Sequence, residues 1–416
     1  MSGTERAYLK KSYSKDRAAF GASLGERAET MTSNDNRSQE QAVIDRDGLN
    51  GLIAALRQAG YRVIGPRAAD GAIVYEPVEE VGQLPAGWHD EQQGGSYRLV
   101  RSGDEALFGV TLGPQSWKRY LFPPDHRLWR SERGEAGFTI IPEPEPAEPY
   151  AFLGVRACEL KALAIQDAVF GYTVGHSGAG AAFTDAGYAV RRASAFIVAV
   201  NCGRAAGTCF CASMDAGPRA GQGFDLALTE LMGEGRHEFL VETGSERGAA
   251  ILAGLPRRPA GAGDIHAAEA IIAKTTAGMG REMVPEVGAL LKRNLENRRW
   301  DEVAARCLGC TNCTMVCPTC FCSTVEDSTD LTGTQAERRR KWDSCFTLDF
   351  TYIHGGSIRR ETRSRYRQWM THKLSNWHDQ FGSSGCTGCG RCITWCPVGI
   401  DITEEARAIR DSEGTL

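Results

Sequence analysis

The sequence predicts an α+β N-terminal domain containing a parallel strand–helix–strand unit, followed by an α-helical, cysteine-rich domain. Three observations carry this. The chain has 416 residues, too many for one compact core. Across residues 46–300, strand-like apolar runs alternate with helical periodicity. Most of the 15 cysteines lie in residues 301–416.

The elements follow in order. Residues 1–45 are rich in Ser, Asn, Arg and Glu without apolar periodicity, and are expected to be a disordered extension. Met31 within them is a candidate internal start. Leu49, Leu52, Ile53, Leu56 and Ala59 recur at helical spacing, and Gly60 is a helix stop. Strands are expected at 62–64, 72–75, 97–100 and 107–111. The run 151–155 reads as a strand, 159–170 as a helix and 195–200 as a fully apolar second strand, which makes a parallel unit. Beyond it, 225–231 and 267–274 are expected to be helical and 238–241 a strand. A helix over 283–296 leads into the last region, with Pro285 in its first turn. The Gly/Ala-rich segment 175–182 reads as a mobile loop. Its Gly178-Ala-Gly180 completes no dinucleotide fingerprint.

Composition excludes several classes. Charged residues are 24% and the formal net charge is −4, which argues against a strongly basic nucleic-acid binder. An odd number of cysteines rules out a fully paired disulfide framework. No signal-peptide pattern opens the chain, and no run approaches the ~18 apolar residues of a membrane span. A cytoplasmic location is expected, where clustered thiols are metal ligands more often than disulfides.

Cys307, Cys310, Cys313 and Cys317 followed by Pro318 form C-x2-C-x2-C-x3-C-P, and Cys386, Cys389, Cys392 and Cys396 followed by Pro397 repeat it. This is the bacterial ferredoxin spacing, so the second domain is expected to be ferredoxin-like and to hold two [4Fe–4S] clusters. Three thiolates two residues apart let a tight loop wrap one face of an iron–sulfur cube, and the short spacers aim backbone N–H groups at its sulfurs. In two-cluster ferredoxins the fourth cysteine ligates the other cluster. The crossed sets are then Cys307, Cys310, Cys313 with Cys396, and Cys386, Cys389, Cys392 with Cys317. A zinc site or inert buried thiols are the rival readings, and the repeated spacing disfavours both. Unlike a free-standing ferredoxin, the chain inserts 68 residues between Cys317 and Cys386. The stretch 323–380 within them is basic and aromatic.

Seven cysteines remain. Cys158 and Cys202 follow the two strands of the parallel unit, where open α/β sheets bind ligands. Cys209 and Cys211 lie a few residues on. These four are candidate ligands of a third cluster, with Cys322 or Cys345 as substitutes for one of them. The rival reading treats them as small buried hydrophobes, and C-x-C is not a standard cubane spacing. Cys320 has no assigned role.

The basic insertion, including Arg338, Arg339, Arg340, Lys341, Arg359 and Arg363 with Trp342, Tyr352 and Trp369, reads as a helical surface that docks a partner subunit. Single-stranded nucleic acid is the alternative, disfavoured by the net acidity. His176, His354, His372 and His378 form no paired ligand motif. There is no Walker loop, no nucleophile elbow and no paired C-x2-C termini of a nickel–iron catalytic subunit. No catalytic residue is expected.

These motifs resemble a known family. Gly154-Val-Arg-Ala-Cys-Glu-Leu160, Asn201-Cys-Gly, Thr208-Cys-Phe-Cys-Ala-Ser-Met214, Cys317-Pro-Thr-Cys-Phe-Cys322, Trp342-Asp-Ser-Cys345, Arg365-Tyr-Arg-Gln, His372-Lys and Gly388-Cys-Gly-Arg-Cys392 carry the likeness. Over residues 46–412 the chain is similar to β subunits of sulfhydrogenase-type nickel–iron hydrogenases and, equally, to the corresponding iron–sulfur subunit of anaerobic sulfite reductase. The resemblance implies an electron-transfer subunit with [4Fe–4S] clusters. Its partners would be a flavin- and nicotinamide-binding subunit and a catalytic subunit, nickel–iron or sirohaem. A separate class is an enzyme in its own right, with substrate at an open iron of a third cluster.

Overall fold

Among the described residues the first element is β1 (Gln41–Asp45). Residues 41–45, expected to belong to the disordered extension, instead form a strand, because Gln41–Asp45 pairs antiparallel with a later strand. The computed structural model describes residues 41–135, 137–144, 148–172, 183–233 and 235–414, which belong to one compact unit. The rest of the extension and the 175–182 loop lie outside the described residues.

Helix α1 (Arg46–Gln58) starts where Asp45 accepts a hydrogen bond from the Gly48 N–H at 2.8 Å. It buries Leu49, Leu52, Ile53 and Leu56, the 3.6-residue stripe seen in the sequence. Then come β2 (Arg62–Ala69), β3 (Ala72–Pro77), the hairpin β4 (Trp88–Gln93) and β5 (Ser96–Arg101), and a second hairpin, β6 (Asp125–Gly134) and β7 (Gly137–Pro142). Residues 107–111 do not form the expected strand. The N–H groups of Leu107 and Phe108 donate to the Glu230 carboxylate at 2.7 and 2.9 Å, and that of Thr111 to Asp90 at 2.5 Å. Side chains have taken the bonds a ladder would use.

β8 (Tyr150–Val155), α2 (Ala157–Val169), α3 (Ala186–Ser194) and β9 (Phe196–Val200) follow. β8 and β9 pair in parallel, with Leu153 opposite Val198. The segment expected to be helical at 225–231 is instead β10 (Leu226–Gly233), parallel to β9. Its Leu226, Ala227 and Leu228 are completely buried. A short apolar run does not distinguish helix from buried strand by periodicity; the sheet on both sides decided it. β11 (Arg236–Thr243), α4 (Glu246–Ala253), β12 (Arg258–Pro259) and α5 (Ala262–Ala277) complete this part. The sheet order is β12-β1-β11-β10-β9-β8-β2-β3. Val198 and Val200 face one core with α1, while Ile197 and Ala199 face another with α2.

The last region is mostly short helices around their own core. α6 (Val287–Arg293) is shorter than the expected 283–296, and Pro285 precedes it because Glu286 is left-handed, with φ 50°. α7 (Arg299–Arg306), α8 (Thr362–Thr371) and α9 (Ile402–Asp411) surround Trp300, Trp369, Leu374 and Ile393. The region is not purely helical. β13 (Ser323–Thr329) and β14 (Gln335–Trp342) form a hairpin, and β14 pairs with β6. So Arg338, Arg339, Arg340 and Lys341, expected on a helical surface, lie in a strand. Arg338 sits opposite Asp327 and bonds it at 2.6 Å, and Arg339 reaches Asp125 at 2.8 Å. Cross-strand charge pairs outweigh the weak strand propensity of Arg and Lys. Among the described residues no helix is long and apolar enough to cross a membrane.

Candidate functional site

The two cysteine motifs fold alike. In the first, Cys307 ends α7, the Gly309 N–H donates to Cys307 Sγ at 3.4 Å, and a helical turn spans Asn312–Met315. In the second, the Gly388 N–H donates to Cys386 Sγ at 3.4 Å, and a helical turn spans Arg391–Thr394. The last cysteine of each also accepts a bond: Cys396 Sγ from the Ile400 N–H at 3.3 Å, and Cys317 Sγ from Lys373 Nζ at 3.3 Å. Such donors favour the thiolate.

The thiols are sorted between two cavities. Cys307, Cys310, Cys313 and Cys396 line the first, together with Tyr366 and Trp369. Cys317, Cys386, Cys389 and Thr387 line the second. Cys392 lines both, so the cavities are neighbours. The residues fit an iron–sulfur cube. Tyr366 Oη, Trp369 Nε1 and Thr387 Oγ1 are buried without a hydrogen-bond partner among the described residues, and such groups call for an occupant. No group of three or more His, Cys, Asp or Glu among the described residues is gathered to hold a single metal ion. The thiols instead surround spaces, as the corners of a cube require.

Burial pushes the thiols of Cys313 and Cys392 well up, and that of Cys386 to about 12. Loading such a site releases protons. Cys317 is the exception. A hydrogen bond from Cys320 holds it well below the ordinary thiol range against the cost of burial, with help from the Lys373 charge. Lys373 is itself buried. Burial opposes its charge, but Cys317, Cys320 and Cys386 more than offset this. Nothing in sequence spacing marked Lys373 as part of this site.

Cys158, Cys202, Cys209 and Cys211 also come together. Cys158 lies in the first turn of α2 and Cys202 just past β9, both beyond the carboxyl ends of adjacent parallel strands. The loop bearing Cys209 and Cys211 is stapled to the second motif: the Phe210 N–H donates to Gly388 O at 2.9 Å. Gly388 has φ +66°, and a Cβ there would stand 2.6 Å from the Phe210 carbonyl. At Gly390, φ +77°, a Cβ would meet Thr208 O at 2.4 Å. Only glycine permits both the turn and this approach. Burial raises Cys158 well above the ordinary range, with Cys211 and Cys389 adding to it. Cys209 rises to about 12 through burial and then Cys202.

Cys320, Cys322 and Cys345 lie outside the linings of both cavities. Cys320 lowers the pKa of Cys317, and Cys345 that of Cys322. Much of the basic insertion is internally neutralised: Lys341 pairs with Glu326 at 2.5 Å, Arg340 with Asp185, and Arg367 with Glu296 at 2.9 Å. His372 packs edge-on against Phe321, and burial lowers its pKa.

Residues 306–400 match the model of the 4Fe-4S dicluster domain. The chain is 27% identical over 348 residues to the sulfhydrogenase 2 subunit beta of Pyrococcus furiosus, covering 81% of this chain and 95% of that one. No solved structure matches it. The family resemblance seen in the motifs is thus found again along most of the chain.

Proposed function

We propose that the protein is an iron–sulfur electron-transfer subunit of a cytoplasmic, NAD(P)-linked nickel–iron hydrogenase of the sulfhydrogenase type. The sorting of eight cysteines around two adjacent cavities carries this reading. Cys307, Cys310, Cys313 and Cys396 would hold one [4Fe–4S] cluster, and Cys317, Cys386, Cys389 and Cys392 the other. Such clusters supply reversible storage of one electron each. The chain's own residues supply thiolates, N–H donors and exclusion of water. The Gly309 and Gly388 N–H groups polarise a ligand sulfur in each motif. Lys373 places a positive charge on Cys317 of the second set. Cys158, Cys202, Cys209 and Cys211 would hold a third cluster, beside Cys389. Electrons would then pass from the carboxyl end of the sheet to the exposed thiol Cys310.

Two measurements test this. Iron per chain should be about 12 with three clusters and about 8 with two; far less iron overturns the reading. Co-purification from the native host should bring down a nickel–iron large subunit and a flavin- and nicotinamide-binding subunit. A sirohaem protein in their place would assign the chain to anaerobic sulfite reductase.

A further inference from the structure

We propose that Tyr366 and Trp369 donate hydrogen bonds to the sulfurs of the first iron–sulfur centre and thereby raise its reduction potential. The inference rests on the electron-transfer reading above and names two residues that tune it.

Both residues lie on α8, three positions apart, so they share one face of that helix. Both line the first cavity. Tyr366 is 2% exposed and Trp369 4%. Packing holds them in place. Their ring centroids stand 5.4 Å apart, and Phe346 packs edge-on against each, at 6.2 and 5.9 Å. Neither Tyr366 Oη nor Trp369 Nε1 has a hydrogen-bond partner among the described residues.

Elsewhere the fold supplies acceptors to buried aromatic donors. Trp117 Nε1 donates to Glu159 at 3.0 Å, and Trp300 Nε1 to Asn294 O at 2.8 Å. The hydroxyls of Tyr75 and Tyr188 reach Glu159 and Asp167 at 3.0 and 2.7 Å. An indole N–H can only donate, and a buried donor without an acceptor is costly. Two such donors beside one cavity point to an acceptor inside it.

The lining identifies that acceptor. Apart from Thr311, every other side chain of the first cavity is a cysteine or is apolar, and no carboxylate is among them. The acceptors are therefore sulfurs, of the ligand thiolates and of the cube they hold. Hydrogen bonds to an anionic acceptor are the strong kind.

The effect on potential follows from charge. Reduction adds one electron to the centre and makes it more negative, and fixed donors stabilise that state. Burial raises the Tyr366 pKa well above the ordinary phenol range, so its hydroxyl keeps its proton and stays a donor. No bond is made or broken in this step, and neither side chain gains or loses a proton. The second cavity is tuned by other groups. Lys373 bonds Cys317 there, and neither Tyr366 nor Trp369 lines it.

The test uses the full chain purified without oxygen, with its iron, as wild type, Y366F and W369F. Each substitution keeps an aromatic ring and removes one donor. Redox titration followed by electron paramagnetic resonance should show the same single centre lowered in both variants. The expected change is about tenfold in the reduction equilibrium, equivalent to ~59 mV for one electron. Electron–nuclear double resonance on that centre, in light and heavy water, should show an exchangeable proton coupling in the wild type that Y366F lacks. If W369F folds poorly, Y366F carries the comparison. An unmoved potential in Y366F with iron intact overturns the hydrogen bonds and leaves the electron-transfer reading standing. Equal shifts of all centres, or loss of about four irons per chain in Y366F, also overturn them, since the hydroxyl would then serve the fold rather than the potential. A wild-type chain with no reducible iron–sulfur signal overturns the electron-transfer reading itself, and the tuning with it.

Discussion

Glu159 and Arg391 meet at 2.6 Å, each 1% exposed at its side chain. Glu159 lies next to Cys158 on α2, and Arg391 lies between Cys389 and Cys392 of the second cysteine motif. The carboxylate also accepts from Tyr75 Oη at 3.0 Å and Trp117 Nε1 at 3.0 Å. The guanidinium donates to Gly113 O at 2.9 Å and Gln115 O at 2.7 Å. One buried ion pair thus locks the cysteine-rich region to the central sheet.

Removing one member leaves the other charge buried and alone. Arg391→Met is expected to cost about 3–5 kcal/mol. Thermal melting of the holoprotein should show a fall of several degrees, accompanied by loss of iron from the second set of cysteines. A melting temperature within a degree of wild type would mean the pair is not a lock.

Gly390→Ala should be destabilising for two reasons, the left-handed backbone and the approach of Thr208 O. Strain of this kind costs about 1–3 kcal/mol, and the contact adds to it. The substitution should also part the Cys209 loop from the second motif. If the four thiols of that loop and sheet edge hold a cluster, the iron count should drop by about four. Gly263→Ala, where a Cβ meets nothing within 4 Å, is the control.

Lys373→Met should lower the reduction potential of the second centre. A buried cation stabilises the more negative, reduced state, so its removal favours oxidation. Redox titration followed by electron paramagnetic resonance should show one centre shifted downward and the first unchanged. Equal shifts of both would assign the effect to a general loosening of the domain.

Much of this site was legible before any fold. Cys307 to Cys317 and Cys386 to Cys396 are local repeats, and ligand spacing is a property of a few consecutive residues. The amphipathic stripe of α1 and the apolar run of β9 are local in the same sense. The errors came where neighbours decide. β10 reads as a helix until β9 and β11 flank it, and β14 reads as a basic helix until Asp327 and Asp125 lie across from it.

By itself the sequence determined the ligand spacing, and it carried the expectations of crossed ligation and of four further thiols following two parallel strands. Tertiary structure alone decided which buried charges reach them. Arg391 meets Glu159 across 232 positions, and Lys373 meets Cys317 across 56. The physical reason is range. Ligand spacing is written along the chain within a turn or two, whereas burial, the force that sets the value of a charge or a thiol, exists only after distant segments have excluded water from between them.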